Sequence, residues 1–141
     1  MRLNLDSTIY VCQAVGAHLR ERGRGSVINV ASVAGMSATP GLMPYGASKA
    51  AVISVTKTLA VEWAPAGIRV NALCPGWTAT DLNEALRGAP DGGQSVIASV
   101  PMGRWGRPEE MAGPAVFLAS DASSFMTGQV LIIDGGQVAA G

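Results

Sequence analysis

Residues 26–32 have the sequence SVINVAS, a short apolar run rich in β-branched residues. Gly25 precedes this run, and a segment rich in Gly, Ser and Pro follows it over residues 33–44. A short apolar run between turn-forming residues is typical of a strand that is buried on both faces of a parallel sheet. The sequence therefore predicts a buried parallel strand here, with a loop leaving its carboxyl end.

Helical and strand-like segments alternate along the rest of the chain. Apolar side chains repeat at helical spacing over residues 3–21 and 45–64, and Pro108 marks the start of a third helix. Two further strand-like runs occupy residues 68–73 and 129–133. Alternation of this kind predicts a parallel sheet with right-handed crossovers. We therefore expect an α/β fold, with a parallel sheet of about three strands and flanking helices.

Between the second strand and the third helix, residues 78–107 form a long and irregular segment. Gly and Pro residues interrupt it after a short helical stretch near residues 81–87. A segment of this length without regular structure is usually functional when it occurs inside a compact domain. We predict that residues 78–107 form a lid over a substrate site.

Composition excludes several classes of protein. Ten basic and ten acidic residues give a formal net charge of zero, which leaves no electrostatic footprint for nucleic acid or an anionic membrane. No apolar run is long enough for a membrane helix, and the amino terminus lacks a signal-peptide pattern. Cys12 and Cys74 lie far apart, without the spacing of a zinc site. We therefore expect a cytoplasmic protein with two buried thiols, no metal and a small-molecule ligand.

The residues with chemical potential are a serine, a tyrosine and a lysine. Tyr45 and Lys49 are four residues apart on the predicted second helix, where an adjacent cation stabilises a phenolate. The same spacing also occurs on an ordinary solvated helix face. Ser32 ends the first predicted strand, at the sheet edge where open α/β folds bind ligands, although a serine there also serves as a turn or capping residue.

Four motifs in order connect these residues to a known family. They are NVASVAG at residues 29–35, YGASK at residues 45–49, NALCPG at residues 71–76 and GQVLIIDGG at residues 128–136. Together they cover nearly the whole chain and closely resemble the short-chain dehydrogenase/reductase family. The resemblance implies a doubly wound, Rossmann-like parallel sheet, NAD or NADP as cofactor, and a homo-oligomer, either a dimer or a tetramer.

The resemblance also implies a reaction, the interconversion of a ketone and a secondary alcohol by hydride transfer. Tyr45 corresponds to the general acid/base, Lys49 to its electrostatic partner and Ser32 to the hydroxyl that polarises the substrate oxygen. Asn4 matches the asparagine that holds a proton-relay water, although an asparagine near a helix start is commonly a cap. Residues implied to meet the cofactor are Tyr45, Lys49, Pro75, Gly76, Thr78 through its backbone, and Thr80.

A substrate pocket is expected beside these residues. Aromatic and apolar side chains line most small-molecule sites. The residues predicted to form its wall are Ala34, Leu42, Trp77 and Trp105. For either tryptophan, a position in the core is an equally good interpretation.

The chain departs from the family pattern in one respect. No glycine cluster follows a strand and opens a helix, as the phosphate-binding loop of such enzymes requires. We therefore expect residues 1–141 to form a single truncated domain, the carboxy-terminal half of the fold with the amino-terminal half missing and the first strand left as a bare edge. NAD and NADP remain alternatives, because the residue that selects between them lies outside the motifs present.

Two functional alternatives remain open. The chain is either the catalytic half of an enzyme or a non-catalytic remnant that acts as an association module. Within the enzyme class, residues 101–108 look similar to members that act on polyols and sugar acids. Reductases of 3-oxoacyl carriers share the same skeleton, so both substrate types stay open.

Overall fold

The computed structural model describes residues 1–91 and 93–140, and it contains a three-stranded parallel sheet in the order β1-β2-β3. The strands are β1 (Gly25–Val30), β2 (Ile68–Pro75) and β3 (Val130–Ile133). In the register, Gly25 pairs with Ile68, and Ala72 pairs with Val130. The predicted α/β class and the three parallel strands are confirmed.

Helices cover both faces of the sheet. They are α1 (Ser7–Arg22), α2 (Met43–Trp63), α3 (Glu84–Arg87), α4 (Gln94–Ile97) and α5 (Ala112–Ala119). On β1, Asn29 donates a hydrogen bond to Thr56 of α2, whereas the hydroxyl of Ser26 donates to the Leu118 carbonyl of α5. Residues an odd number apart on a strand point to opposite faces. Helix α2 therefore lies on one face of the sheet and α5 on the other.

The core between α1 and α2 depends on a close contact between a glycine and a tryptophan. Gly16 and Trp63 are both buried, and a Cβ atom added at Gly16 would lie 2.5 Å from the Trp63 ring. Cys12, also on α1, is buried in the same cluster, as the helical stripe predicted. Because interiors are close-packed, the absent side chain at Gly16 lets the indole ring fill the gap between the helices.

The observed elements differ from the predicted ones mainly at their ends. Helix α1 begins at Ser7, because Arg2–Asp6 form a π-helical turn, and α5 begins at Ala112 after a short 3₁₀ turn at Pro108–Met111. Strand β1 pairs with β2 alone among the described residues, so it forms the expected bare edge. No helix in residues 1–91 and 93–140 has the length and apolar character needed to cross a membrane.

Candidate active site

A cavity of about 600 Å³ opens at the carboxyl ends of β1 and β2. Its wall includes every residue predicted for the catalytic, cofactor and substrate sites except Asn4 and Trp105. Those residues are Ser32, Ala34, Leu42, Tyr45, Lys49, Pro75, Gly76, Trp77, Thr78 and Thr80. Residues separated by almost 50 positions therefore meet at the sheet edge where open α/β folds bind ligands.

Ser32 follows β1 in an extended conformation and begins the 3₁₀ turn Val33–Gly35. Its hydroxyl oxygen accepts a hydrogen bond from the backbone N–H of Ala34 at 3.2 Å. Ser32 therefore both caps the turn Val33–Gly35 and lines the cavity. This hydrogen bond uses only a lone pair of the Ser32 hydroxyl oxygen. The hydrogen of the hydroxyl is therefore still available as a donor toward the cavity.

Tyr45 and Lys49 lie in the first turns of α2, with Pro44 at the start of the helix. The Lys49 Nζ atom is 5.8 Å from the centre of the Tyr45 ring and donates to the Val30 carbonyl at 3.0 Å. Burial lowers the pKa of the Lys49 ammonium, while the neighbouring Cys74 acts in the opposite direction. The hydrogen bond to Val30 ties the lysine to the end of β1, and the other two N–H groups make no hydrogen bond to residues 1–91 and 93–140.

Two glycines bring the turn after β1 against α2. A Cβ atom added at Gly35 would lie 2.7 Å from the Ala50 nitrogen and from the Lys49 carbonyl carbon. One added at Gly46 would lie 2.7 Å from the Ala34 carbonyl oxygen. These neighbours are backbone atoms, which cannot move aside as a side chain does. The contact therefore sets the spacing between the Ser32 turn and the helix that carries Tyr45 and Lys49.

Asn4 lies outside the cavity, in the π-helical turn Arg2–Asp6. Its amide nitrogen donates to the Ser48 hydroxyl at 3.1 Å, and that hydroxyl donates to the Tyr45 carbonyl at 2.7 Å. The residue at the cap position of α1 is Asp6, so the capping interpretation of Asn4 is wrong. Asn4 reaches the site through Ser48, a residue that sequence reasoning missed.

Cys74 lies beneath the cavity, fully buried on β2. Burial raises the pKa of its thiol to about 11, against the opposing effects of the Ser32 backbone N–H and the Lys49 ammonium. The thiol is therefore neutral at physiological pH and serves as packing below the site. The sequence predicted a buried thiol at Cys74 but not its position under Ser32 and Lys49.

The segment after β2 is held at both ends. The Gly106 N–H donates to the Trp77 carbonyl at 2.9 Å, and the Ala79 N–H donates to the Gly106 carbonyl at 2.8 Å, which forms a parallel bridge between Thr78 and Gly106. The Thr78 carbonyl accepts from the Asn83 side chain at 2.7 Å. Because that carbonyl is occupied, a backbone contact from Thr78 to a ligand would use its N–H group.

Trp105 does not line the cavity and is only half-buried, so it matches neither of the two interpretations that the sequence left open, a pocket wall or a core position. Its ring lies edge-on to Trp77, with ring centres 5.7 Å apart and planes at 78°. Edge-to-face contact is a favourable arrangement of two aromatic rings. Trp77 therefore faces the ligand side, and Trp105 supports it from behind.

Residues 78–107 contain the short helices α3 and α4 and contribute two leucines to the cavity. Leu82 is 90% exposed and Leu86 is 45% exposed, yet both line the cavity. The predicted helical stretch near residues 81–87 is confirmed, as a 3₁₀ turn followed by α3. The two leucines therefore form an exposed, apolar part of the cavity wall.

The end of this segment is fixed by an ion pair. Both oxygens of the Glu110 carboxylate accept from the Arg104 guanidinium, at 2.8 and 2.9 Å. Arg104, together with the Arg107 backbone N–H, lowers the pKa of Glu110 to about 2. The two-point contact connects residues 78–107 to the turn Pro108–Met111 that precedes α5.

Glu110→Gln is expected to destabilise the fold at neutral pH and to lose this effect in acid. The unfolded carboxyl takes up its proton near its ordinary pKa, whereas the folded one stays charged down to about pH 2, so the contribution of Glu110 disappears between about pH 5 and pH 2. Thermal melting of both proteins across this range measures it. Glu109→Gln is the control, and a wild-type advantage that stays constant down to about pH 3 would contradict the prediction.

Similarity to known proteins agrees with this geometry. Over residues 1–137 the chain matches the family model described as enoyl-(acyl carrier protein) reductase. It is 44% identical over 136 residues to gluconate 5-dehydrogenase of Gluconobacter oxydans, covering 96% of this chain and 53% of that protein. It is also 44% identical over 138 residues to 3-oxoacyl-[acyl-carrier-protein] reductase of Thermotoga maritima, covering 98% of this chain and 55% of that protein.

A solved structure shows the same fold. The gluconate 5-dehydrogenase of Burkholderia cenocepacia, in complex with NADP and tartrate, superposes with a TM-score of 0.96 at 44% identity, covering all of this chain and 55% of that one. The chain spans about half the length of the curated relatives it matches. The family model, these relatives and the site geometry agree: the chain belongs to the short-chain dehydrogenase/reductase family and corresponds to the carboxy-terminal half of the fold.

Proposed function

We propose that this chain carries the catalytic half of an NAD(P)-dependent oxidoreductase that interconverts a ketone and a secondary alcohol. The observation that supports this most directly is the convergence of Ser32, Tyr45 and Lys49 on one cavity at the carboxyl edge of the sheet. Only a tertiary contact brings the serine to the tyrosine and the lysine, which makes an ordinary solvated helix face a poor explanation of the motif.

Each of the three side chains has a distinct role in the proposed reaction. During reduction, the Tyr45 hydroxyl gives its proton to the substrate oxygen, and the Ser32 hydroxyl donates a hydrogen bond to the same oxygen. The Lys49 ammonium, 5.8 Å from the phenol ring centre, stabilises the phenolate that remains. In the oxidation of an alcohol, the same groups act in reverse and Tyr45 accepts the proton. The nicotinamide cofactor supplies or accepts the hydride.

The residues present fit the nicotinamide end of such a cofactor. Lys49 uses one N–H group on Val30 and keeps two for the hydroxyl groups of a ribose. Gly76 has no room for a side chain, because a Cβ atom there would lie 2.7 Å from Asp134, so the edge of the cavity stays open. The residues that would hold the cofactor are Tyr45, Lys49, Pro75, Gly76, Thr78 through its N–H group, and Thr80.

Four further parts of the proposal concern Asn4, the lid, the substrate and the choice of cofactor. We infer that Asn4 positions Tyr45 through Ser48 and holds the proton-relay water, and that residues 78–107 act as a lid. Substrates are a polyol, a sugar acid or a 3-oxoacyl compound, supported by the names of the relatives. NADP in the Burkholderia cenocepacia structure supports NAD or NADP here.

Association between copies is also part of the proposal. Tyr10 and Val11 on α1 and Val61 on α2 are 66%, 61% and 77% exposed. Exposed apolar side chains on these two helices favour a subunit contact, which supports a homo-oligomer. The same observation favours the second candidate function, a non-catalytic association module.

Titration with NADPH and NADH separates the two candidates. The enzyme candidate predicts saturable binding, detected by cofactor fluorescence, and a stabilisation of about 2.7 kcal/mol when the ligand is at about a hundred times its Kd. Lys49→Met is expected to weaken binding by about tenfold, the loss of roughly one charged hydrogen bond. Lys57→Met, at an exposed position farther along α2, is the control. A folded protein that binds neither cofactor would be a remnant or a fragment, and the enzymatic proposal would then apply only to a longer parent chain.

A further inference from the structure

An asparagine that none of the four sequence motifs includes holds the backbone beside the cavity. Asn83 ends the 3₁₀ turn Asp81–Asn83 and lines the cavity. Its Nδ2 atom donates to the Thr78 carbonyl at 2.7 Å, and its Oδ1 atom accepts from the Thr80 N–H at 3.0 Å. Only this orientation of the amide gives a donor to the carbonyl and an acceptor to the N–H group. Asn83 therefore binds the backbone on both sides of Ala79.

Gly106 holds the opposite edge of the same segment. Its N–H donates to the Trp77 carbonyl at 2.9 Å, and its carbonyl accepts from the Ala79 N–H at 2.8 Å. In a planar trans peptide group, the N–H and the C=O point in opposite directions. The N–H and the carbonyl of Thr78 share their peptide groups with these two bonded atoms, so both point away from Gly106. Thr78 therefore presents its two backbone groups on the side where Asn83 lies.

The N–H of Thr78 is the backbone group that stays available to a ligand there. Asn83 takes the Thr78 carbonyl, whereas the Thr78 N–H makes no hydrogen bond within residues 1–91 and 93–140. Thr78 and Asn83 both line the cavity. A backbone N–H is a strong donor and suits an acceptor such as the carboxamide oxygen of nicotinamide. The peptide groups on both sides of Thr78 are held, so the direction of this N–H is set before a ligand binds.

We propose that Asn83 is a positioning residue for the cofactor, because its amide fixes residues 78–80 with the Thr78 N–H directed at the nicotinamide carboxamide. This inference rests on the proposed function, since it assumes that the cofactor lies along Thr78 and Thr80. Asn83 itself does not need to touch the cofactor. A turn that is ordered beforehand does not have to be ordered on binding, which raises affinity. Support of this kind from neighbouring residues is what holds a binding group in its productive geometry.

Asn83→Ala tests the proposal, because it removes both hydrogen bonds of the amide. The Kd of NADPH, measured by cofactor fluorescence, and the KM for NADPH are expected to rise about tenfold. The kcat at saturating NADPH is expected to stay within about threefold of wild type, because the reacting atoms are untouched. In the cofactor-free protein, amide hydrogen exchange at Thr80 is expected to become at least about tenfold faster. Gln94→Ala, an exposed amide in the same segment, is the matched control and changes none of these values.

Asn83→Asp separates positioning from mere support of the fold. Aspartate keeps an acceptor for the Thr80 N–H and removes the donor to the Thr78 carbonyl, so exchange at Thr80 stays slow while the Kd of NADPH still rises about tenfold. Repulsion between the carboxylate and the cofactor phosphates weakens with salt. The rise in Kd is therefore expected to persist at high salt. This variant also serves if Asn83→Ala does not fold.

The contrary results are distinct from failure of the proposed function. A wild-type protein that binds NADPH while Asn83→Ala binds it equally well would overturn the role of Asn83, even if the melting temperature falls. Tighter binding by Asn83→Ala would also overturn it, because the amide would then compete with the cofactor. If the wild type binds no NADPH at all, the proposed function fails for this chain, and the role of Asn83 toward a cofactor fails with it.

Discussion

Tyr45→Phe is expected to lower kcat/KM by a factor of about 10³, within the range attributed to general acid–base catalysis. Phenylalanine keeps the ring that lies beside Lys49 and removes the hydroxyl that exchanges a proton with the substrate. Tyr45 lines the cavity, and its hydroxyl makes no hydrogen bond to residues 1–91 and 93–140. The melting temperature and the Kd of NADPH are therefore expected to stay close to wild type, and steady-state kinetics with both substrate types measures the loss.

The control for this change is the other tyrosine of the chain. Tyr10 is 66% exposed on α1, so Tyr10→Phe removes a phenolic hydroxyl without touching the cavity. Its kcat/KM is expected to match wild type. If Tyr45→Phe kept more than about a tenth of the wild-type kcat/KM, the hydroxyl would not be the general acid/base, because such a group contributes at least about 10².

Gly35→Val is expected to have the largest combined effect on stability and activity. Its Cβ atom would meet the backbone of Lys49 and Ala50 at 2.7 Å, and backbone atoms of a helix cannot yield without moving the helix. Overpacking of this kind costs about 1–3 kcal/mol, measured by urea unfolding. The turn that carries Ser32 would move away from α2, and displacement of about 1 Å at a catalytic group lowers kcat/KM by about 10².

A glycine in open space provides the matched control. Gly113 lies in α5, has no neighbour within 4 Å of an added Cβ atom and does not require a positive φ. Gly113→Ala is therefore expected to be neutral or to stabilise the protein by about 0.5–1 kcal/mol, since alanine is the better helix former. A Gly35→Val protein as stable and as active as wild type would show that the contact with α2 does not hold the site together.

The predictions from sequence succeeded where the signal is local and periodic. The apolar runs near Val27, Val70 and Leu131 predicted three parallel strands, because parallel strands are buried on both faces and therefore lack alternation. Their ends were less certain: β2 continues to Pro75, two residues beyond the predicted end, since its last residues pair with β3. That pairing is a property of the sheet and leaves no mark on residues 74–75 themselves.

The catalytic residues of the candidate site were predicted from local patterns, whereas other residues were missed because their places depend on tertiary contacts. Ser32 follows a strand at the carboxyl edge, and Tyr45 and Lys49 are one helical turn apart, so both positions are readable from the order of elements. The position of Trp105 stayed open between the pocket wall and the core, because the sequence does not state which side of Trp77 it occupies. Ser48 was missed because a serine inside a helix is ordinary until its hydrogen bonds to Asn4 and to the Tyr45 carbonyl are known.

The sequence by itself determined the α/β class, the three parallel strands and the chemical identity of the serine, the tyrosine and the lysine. These features follow from local periodicity, from turn residues and from a spacing of four along one helix. Only the tertiary structure decided that Gly35 and Gly46 fix the distance between the Ser32 turn and α2, that Cys74 lies below the site and that Asn4 reaches Tyr45 through Ser48. The physical reason is that close packing and burial depend on atoms far apart in the chain, which no local pattern of residues encodes.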